Sequence, residues 1–438
     1  MQRATHSFRS STQEWSARRV TAIHRTFGGD MYTNRLENRS TLLLFAAATA
    51  IAALANGASQ AEETFRIGYL VDLNGPTSYA TGAGAAEAAK MAVEDFGGSV
   101  LGRKIEILVA DHQNKADIGA GIAREWFDTK NVNAIFDVSQ STLAFAVRDL
   151  AVSRKRIVGF TSAMSTDLTG SRCSPYTFSW GWDNFSSSRA VTDAIYKEGG
   201  KRWYYLAADY TFGKQLEADS AAELKKLGGE ILGSSYAPLG TTDFSSNLLQ
   251  ASTSKPDVLA FANSTNDLVN ALKQSLEFGL TARKAVFVFS APDADIIGLK
   301  NIQDAQYVDQ FYWDMNDEAR SFAKRFTQRM GKDTPPTGQQ VNGYGVVMHY
   351  LKAVRAAGTA DADAVAKAMR DMPVNDFFTT NARIREDGKV MRDMYLLETK
   401  KVDESKSRWD LFKVVHTIPA GAAFMPAEQS ACPALKGK

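Results

Sequence analysis

The sequence is poor in the residues that build metal centres and covalent scaffolds. Its 438 residues include two cysteines and five histidines. Two cysteines are too few for a disulfide-dense fold or a four-cysteine zinc site. Charge of one sign is lacking as well: 51 Lys and Arg stand against 49 Asp and Glu, a net charge of +2. That balance gives no electrostatic reason to expect a nucleic-acid partner. Long apolar runs are also missing. The longest, LLLFAAATAIAALA at 42–55, falls short of the ~20 residues of a membrane-spanning helix. There is no G-x-S-x-G elbow, no H-E-x-x-H and no Walker A loop, the signatures of α/β-hydrolases, zinc proteases and P-loop NTPases. What remains is an ordinary globular composition, 44% hydrophobic and 23% charged, with no tract that favours disorder.

The 42–55 run has a use of its own. Arg35 and Arg39 precede it, Asn56-Gly57 breaks it, and Ser59-Gln60-Ala61 offers a small-x-small exit. These are the parts of a secretory signal peptide, with cleavage expected after Ala61. Residues 1–30 are polar and Arg-rich and fit no region of such a peptide, whereas Met31 opens a leader of normal length. We therefore expect 1–30 to be a non-native extension and 31–61 the signal peptide. The chain from Glu62 has 377 residues, enough for two α/β domains with sizeable cores. It loses seven arginines and three carboxylates with the leader, leaving 44 basic and 46 acidic residues. No membrane insertion is expected of it. Cys173 and Cys432 both remain. In an exported compartment they can pair or stay as buried thiols.

From residue 65 short apolar runs alternate with amphipathic segments. Strands are expected at 65–71, 104–110, 134–138 and 156–160, with helices at 84–96, 117–129 and 142–152. An aromatic stretch at 174–185, SPYTFSWGWDNF, interrupts the rhythm. The alternation resumes with strands at 203–208, 231–236, 257–262 and 285–289 and helices at 187–198, 212–227, 244–251 and 266–278. A second break, YVDQFYWDMN, covers 307–316, and helices follow at 317–329, 339–357 and 361–370. Strand-like pieces at 381–384, 394–398 and 409–415 end the chain. Such alternation predicts right-handed βαβ units and parallel sheets covered on both faces, so the fold class is α/β, two doubly wound Rossmann-like halves.

In open α/β sheets ligands bind beyond the carboxyl ends of the strands. The loops there are Ser139-Gln140-Ser141-Thr142, then 161–166 with Ser162, Ala163 and Ser165, and 209–213 with Tyr210 and Phe212. The first opens a helix, and its hydroxyls and amides suit either simple capping or a carboxylate. Trp180, Trp182, Tyr312 and Trp313 lie in the two breaks, where aromatics can wall a pocket or pack a hinge. Gly82-Ala83-Gly84-Ala85-Ala86-Glu87 misses the dinucleotide fingerprint at its sixth position and lies far beyond its strand, so it reads as the start of a helix. No cofactor and no metal are expected: His112, His349 and His416 have no ligand spacing.

Several stretches resemble the type I periplasmic solute-binding proteins of ABC importers, within them the branched-chain amino-acid-binding family. They are FRIGYLVDLNGPTSYATGAGAAEAAKMAVED (65–95), LGRKIEILVADHQNKAD (101–117) and FDVSQSTLAFAVRDLA (136–151). ADYTFGKQLEADSAAELKKLGGEILGSSYAPLGTTDFSS (208–246) and NGYGVVMHYLKAV (342–354) continue the match in the same order. The resemblance implies two lobes joined by three crossovers, with 62–180 and 316–376 in the first and 181–315 and 377–438 in the second. It implies a ligand in the cleft, closure on a hinge, ABC transporter permease subunits as partners, a monomer, and a periplasmic location. The carboxylate-binding loops would fall on Ser139–Thr142 and on 162–165. The aromatic positions would fall near Tyr79 and on Phe212, with Tyr210 close by, and the set Trp180, Trp182, Tyr210 and Phe212 would also suit an aromatic carboxylate. The family's second-lobe carboxylate would lie in Phe289-Ser290-Ala291-Pro292-Asp293, at Ala291 or Pro292 or on Asp293, and Asn263 stands where an aromatic often lies. The expected ligand is a small carboxylate-bearing solute, an amino acid or amide or an aromatic acid. A periplasmic sensor of the same fold and an exported hydrolase are the competing readings.

Overall fold

The computed structural model describes residues 64–302 and 305–436. The N-terminal extension, the leader and the cleavage point expected from the sequence lie outside the described residues. One compact unit spans Glu62–Lys438.

The first sheet contains β1 (Phe65–Val71), β2 (Ser99–Val100), β3 (Arg103–Asp111), β4 (Val132–Asp137), β5 (Ile157–Phe160) and β6 (Thr177–Ser179). Their order is β2-β3-β1-β4-β5-β6. Apart from the β2 hairpin the strands are parallel, with Ile67 of β1 beside Ile107 on one flank and Ala134 on the other. A strand so placed is buried on both faces. This is why FRIGYLV is a nearly unbroken apolar run rather than an alternating one. Helices α1 (Gly82–Phe96), α2 (Ala116–Asp128) and α3 (Ser141–Arg154) cross between these strands. α1 stops where Gly97 takes φ 108°, with the Gly97 N–H donating to the Glu94 carbonyl and the Gly98 N–H to that of Val93, a left-handed cap that glycine adopts without strain.

The second sheet is built from β7 (Arg202–Ala208), β8 (Glu230–Ala237), β9 (Val258–Ala262) and β10 (Arg283–Val286), in the order β10-β9-β7-β8. Its helices are α4 (Asn184–Lys197), α5 (Thr211–Leu227), α6 (Ser245–Ser254), α7 (Thr265–Glu277) and α8 (Ala291–Ile297). β11 (Gln306–Asp309) pairs antiparallel with a later strand, as described below. In the first sheet β1 lies between β3 and β4, and in the second β7 lies between β8 and β9. Each half therefore has a switch point, the crevice where doubly wound proteins bind ligands.

After the second half, α9 (Asp317–Met330), α10 (Gly338–Ala357) and α11 (Ala362–Asp371) return to the first core. α10 approaches so closely that a Cβ on Gly343 would stand 2.3 Å from the Tyr69 hydroxyl and 2.8 Å from the Ala85 carbonyl, so glycine is required there. The hairpin of β12 (Arg383–Ile384) and β13 (Val390–Met391) follows, then β14 (Met394–Thr399), which β11 and β15 (Phe412–Ile418) flank antiparallel.

Three passages join the halves. In the first, Trp180 packs in the first core and Trp182 in the second, with Gly181 between them. The second runs through Asp309–Trp313, where Phe311 belongs to the first core and Tyr312 to the second. The third falls at 391–393, between Val390 in the first core and Met394 in the second. The sequence placed it after 376. Phe378, Ala382 and Ile384 are apolar, and the hairpin carries them back onto the first sheet, where Lys389 bridges beside Ser179. That pairing is non-local and left no mark in the local periodicity. The tail also returns to the first half: Cys432 is disulfide-bonded to Cys173, their Cα atoms 5.7 Å apart.

Candidate functional site

A small cavity of about 40 Å³ lies between the halves, at the carboxyl ends of both sheets. The first half contributes the loop after β4. Asp137 and Val138 there hold φ of 82° and 57°, left-handed values that a β-branched valine rarely accepts. This bend aims Ser139 and the start of α3 at the cleft. Gln140 caps α3 by accepting the Leu143 N–H at 2.5 Å. Ser141, whose N–H is one of the first-turn amides without an intrahelical acceptor, lines the cavity. The first turn of α3 has no acidic residue to balance its positive dipole end.

The hydroxyls of this half have defined polarity. His112 is fully buried, and burial holds its imidazole below the ordinary range. The Asn114 N–H donates to Nδ1 at 3.0 Å, so the ring proton sits on Nε2 and is donated to Ser139 Oγ at 2.9 Å. Ser139 thereby keeps its own proton to donate. Ser162 is the opposite case. Asp137 Oδ1 accepts from both Thr161 Oγ1 and Ser162 Oγ at 2.6 Å. The Ser162 proton is committed to that bond, and its lone pairs are what it can offer to a ligand. Burial pushes the Asp137 carboxyl up to about 6, opposed by the two hydroxyl donors.

Across the cavity, helices α5, α7 and α8 present their N-termini. Tyr210 and Phe212 stack with ring centroids 5.8 Å apart and form an aromatic wall. Thr265, at φ 54°, turns the start of α7 toward the cavity with Ser264. Asp293, in the first turn of α8, accepts from Ser290 Oγ on one oxygen and from the Tyr79 hydroxyl on the other. Tyr79 belongs to the first half and Asp293 to the second, so this bond spans the cleft. Burial raises the Asp293 carboxyl to about 6 while both donors pull it down.

The expected residues therefore separate into two groups. Ser139, Gln140, Ser141, Ser162, Tyr210, Phe212 and Asp293 line the cavity, and Tyr79 closes on Asp293. Thr142, Ala163, Ser165, Trp182 and Asn263 are not in its wall. Thr142 is exposed, Ala163 and Trp182 are in the two cores, and Ser165 donates to Gln215 at 2.6 Å. Asn263 is buried with both amide atoms unpaired. Thr77, Asn114, Ser264 and Ser290 line the cavity in addition. The signal for Ser264 and Ser290 is the same one used for Ser139, a hydroxyl just past a strand's carboxyl end. His112 also follows a strand directly, but nothing local reveals its bond to Ser139.

Two doubly wound halves facing each other across a polar cleft define a two-lobed solute-binding protein. The periplasmic binding protein family model matches residues 64–406, and the chain belongs to that family. A periplasmic binding protein from Burkholderia mallei is 39% identical, with a TM-score of 0.83, covering 85% of this chain and 100% of its own. A branched-chain amino-acid ABC transporter periplasmic ligand-binding protein from Burkholderia xenovorans is 35% identical, with a TM-score of 0.76 over 85% of this chain and 100% of its own. Leu/Ile/Val-binding protein homolog 7 of Brucella suis is 24% identical over 348 residues, 74% of this chain and 84% of its own. Among the described residues no helix is long and apolar enough to cross a membrane.

Proposed function

We propose that the chain is the solute-capturing component of an ABC importer, exported to the periplasm by cleavage after Ala61. Its solute is a small carboxylate that carries a hydrogen-bond donor at its other end. The polarity of the cleft carries this reading. Around α3 are the Ser139 proton, whose long 3.5 Å contact to Thr77 Oγ1 a ligand can replace, an α3 amide and an unbalanced helix dipole, which suit a carboxylate. The Ser162 lone pairs on the same half and Asp293 across the cleft suit an ammonium or a hydroxyl. Both an amino acid and a hydroxylated aromatic acid meet this description, and Tyr210 and Phe212 offer either one an apolar wall. The relatives that bear branched-chain amino-acid names support the first.

Closure does the functional work. Ligand contacts to both lobes favour the closed form, and the surfaces it creates are what permease subunits read. Because the closed cavity is about 40 Å³, binding starts from an opened cleft. A thermal-shift screen of residues 62–438 tests the reading with leucine, valine, benzoate and 4-hydroxybenzoate, each beside its methyl ester. A native-state ligand raises the melting temperature by mass action. The free acid with a donor group is expected to stabilise and its ester not to. An ester that stabilises equally overturns the carboxylate assignment.

A further inference from the structure

The third passage between the lobes holds a group that the cleft does not use. Arg392 lies between Val390 of the first core and Met394 of the second and is only 5% exposed. Its Cζ stands 5.6 Å from the Trp180 ring and 5.0 Å from the Phe378 ring. Rings hold a guanidinium by its faces and leave the N–H donors at its edge to be met by something else. Here Nε, Nη1 and Nη2 are all buried without a hydrogen-bond partner among the described residues. Asp376 supplies a counter-charge to the guanidinium, but buried donors without an acceptor remain costly.

Beside Arg392 is a groove of about 700 Å³, which shares no lining residue with the cleft. Its wall includes Asn316, Asp376, Phe378, Asp393 and Tyr395. Asp376 accepts the Phe378 N–H at 3.1 Å, and its Oδ2 is buried and unpaired. Asp393 accepts the Ala420 N–H at 2.9 Å. Glu318 stands exposed at the same groove.

We propose that this groove binds a small monocarboxylate, held by the Arg392 guanidinium, at a site distinct from the cleft. Guanidinium and carboxylate match edge to edge through two parallel hydrogen bonds. Asp376, Asp393 and Glu318 line the groove against the two cations Arg383 and Arg392; the carboxylates outnumber the cations and disfavour a multivalent anion such as phosphate, whereas a single carboxylate on Arg392 leaves the local charge tolerable. The site joins the first-lobe Asp376 and Phe378 to the second-lobe Tyr395, so an occupant there would also bear on lobe movement.

Acetate is the probe, followed by the indole N–H resonance of Trp180, which is assigned with Trp180→Phe. Acetate is expected to shift this resonance saturably in the wild type and in Ser139→Ala/Ser162→Ala, whose cleft is impaired. Sodium chloride and inorganic phosphate at matched ionic strength are expected to leave it in place. Arg392→Met should abolish the shift, and Arg392→Lys, which keeps the charge without the fork, should weaken acetate about tenfold. The proposal fails if acetate leaves the wild-type resonance unmoved, if chloride or phosphate moves it equally, or if the shift is lost in Ser139→Ala/Ser162→Ala. The wild-type titration and Arg392→Lys decide the matter if Arg392→Met does not fold.

Discussion

Asp293 offers the sharpest test of how the cleft is built. It is buried, at 3% exposure, with its carboxyl raised from the ordinary 3.8 to about 6. At ~1.4 kcal/mol per tenfold change in proton affinity, that gap corresponds to about 3 kcal/mol. The sign follows from linkage. Between pH 4 and 6 the folded protein binds the proton more tightly than the unfolded chain, so Asp293's contribution to stability falls as pH rises through this window. Above pH 6 the penalty of a buried charge is carried in full. Asp293→Asn keeps the shape, can still accept from the Tyr79 hydroxyl and turns its NH2 to donate to Ser290 Oγ, but it has no charge to desolvate. In urea unfolding at pH 7.5 the variant should therefore be more stable than the wild type by up to about 3 kcal/mol, and the two should converge near pH 4. Affinity should move the other way. If the solute donates to Asp293, its affinity should drop by about tenfold or more, since charge-assisted hydrogen bonds contribute ~1.5–3 kcal/mol. A variant that is no more stable at pH 7.5, or that keeps the same advantage at pH 4, would refute the desolvation argument. Unchanged affinity would remove Asp293 from the site.

Three other outcomes follow from the same geometry. Ser139→Ala should weaken a carboxylate ligand by ~1–3 kcal/mol, read by calorimetry, and should lower unfolding free energy by a similar ~1–3 kcal/mol because the buried His112 Nε2–H loses its acceptor; equal affinity for wild type and variant would remove Ser139 from the carboxylate site. Lys389 is fully buried against Asp183 at 2.9 Å and donates to the Gly181 carbonyl at 2.7 Å, so Lys389→Met should cost ~3–5 kcal/mol in denaturant unfolding by stranding a buried carboxylate. Adding Asp183→Asn, which retains the α4 cap, should recover part of that loss. Cys432→Ser should lower unfolding free energy by ~2–5 kcal/mol while ligand affinity holds, because the disulfide ties the tail to Cys173 and neither cysteine lines the cleft.

Much of the architecture is local and therefore readable from the chain. Strands buried on both faces need continuous apolar runs, as in FRIGYLV. Helices between them stop at residues that tolerate the left-handed region, as α1 does at Gly97. The strand ends then point to the loops where a ligand must bind, which is how Ser139, Ser162 and Phe212 could be named in advance. The family resemblance added Tyr79 and narrowed the second-lobe carboxylate to one loop.

Contacts between distant segments were decided by the tertiary structure alone. Tyr79 and Asp293 meet across 214 residues only because the lobes close on each other. The donor character of Ser139 depends on His112, and the acceptor character of Ser162 on Asp137. Both depend on strand register in the first sheet, where β3, β1, β4 and β5 lie side by side. The third passage came at 391–393 rather than after 376 because a two-residue-strand hairpin folds back onto the first core. Amino-acid order sets which faces are apolar and where the backbone can turn. Which hydroxyl gives a proton and which receives one is set by partners that only folding brings within reach.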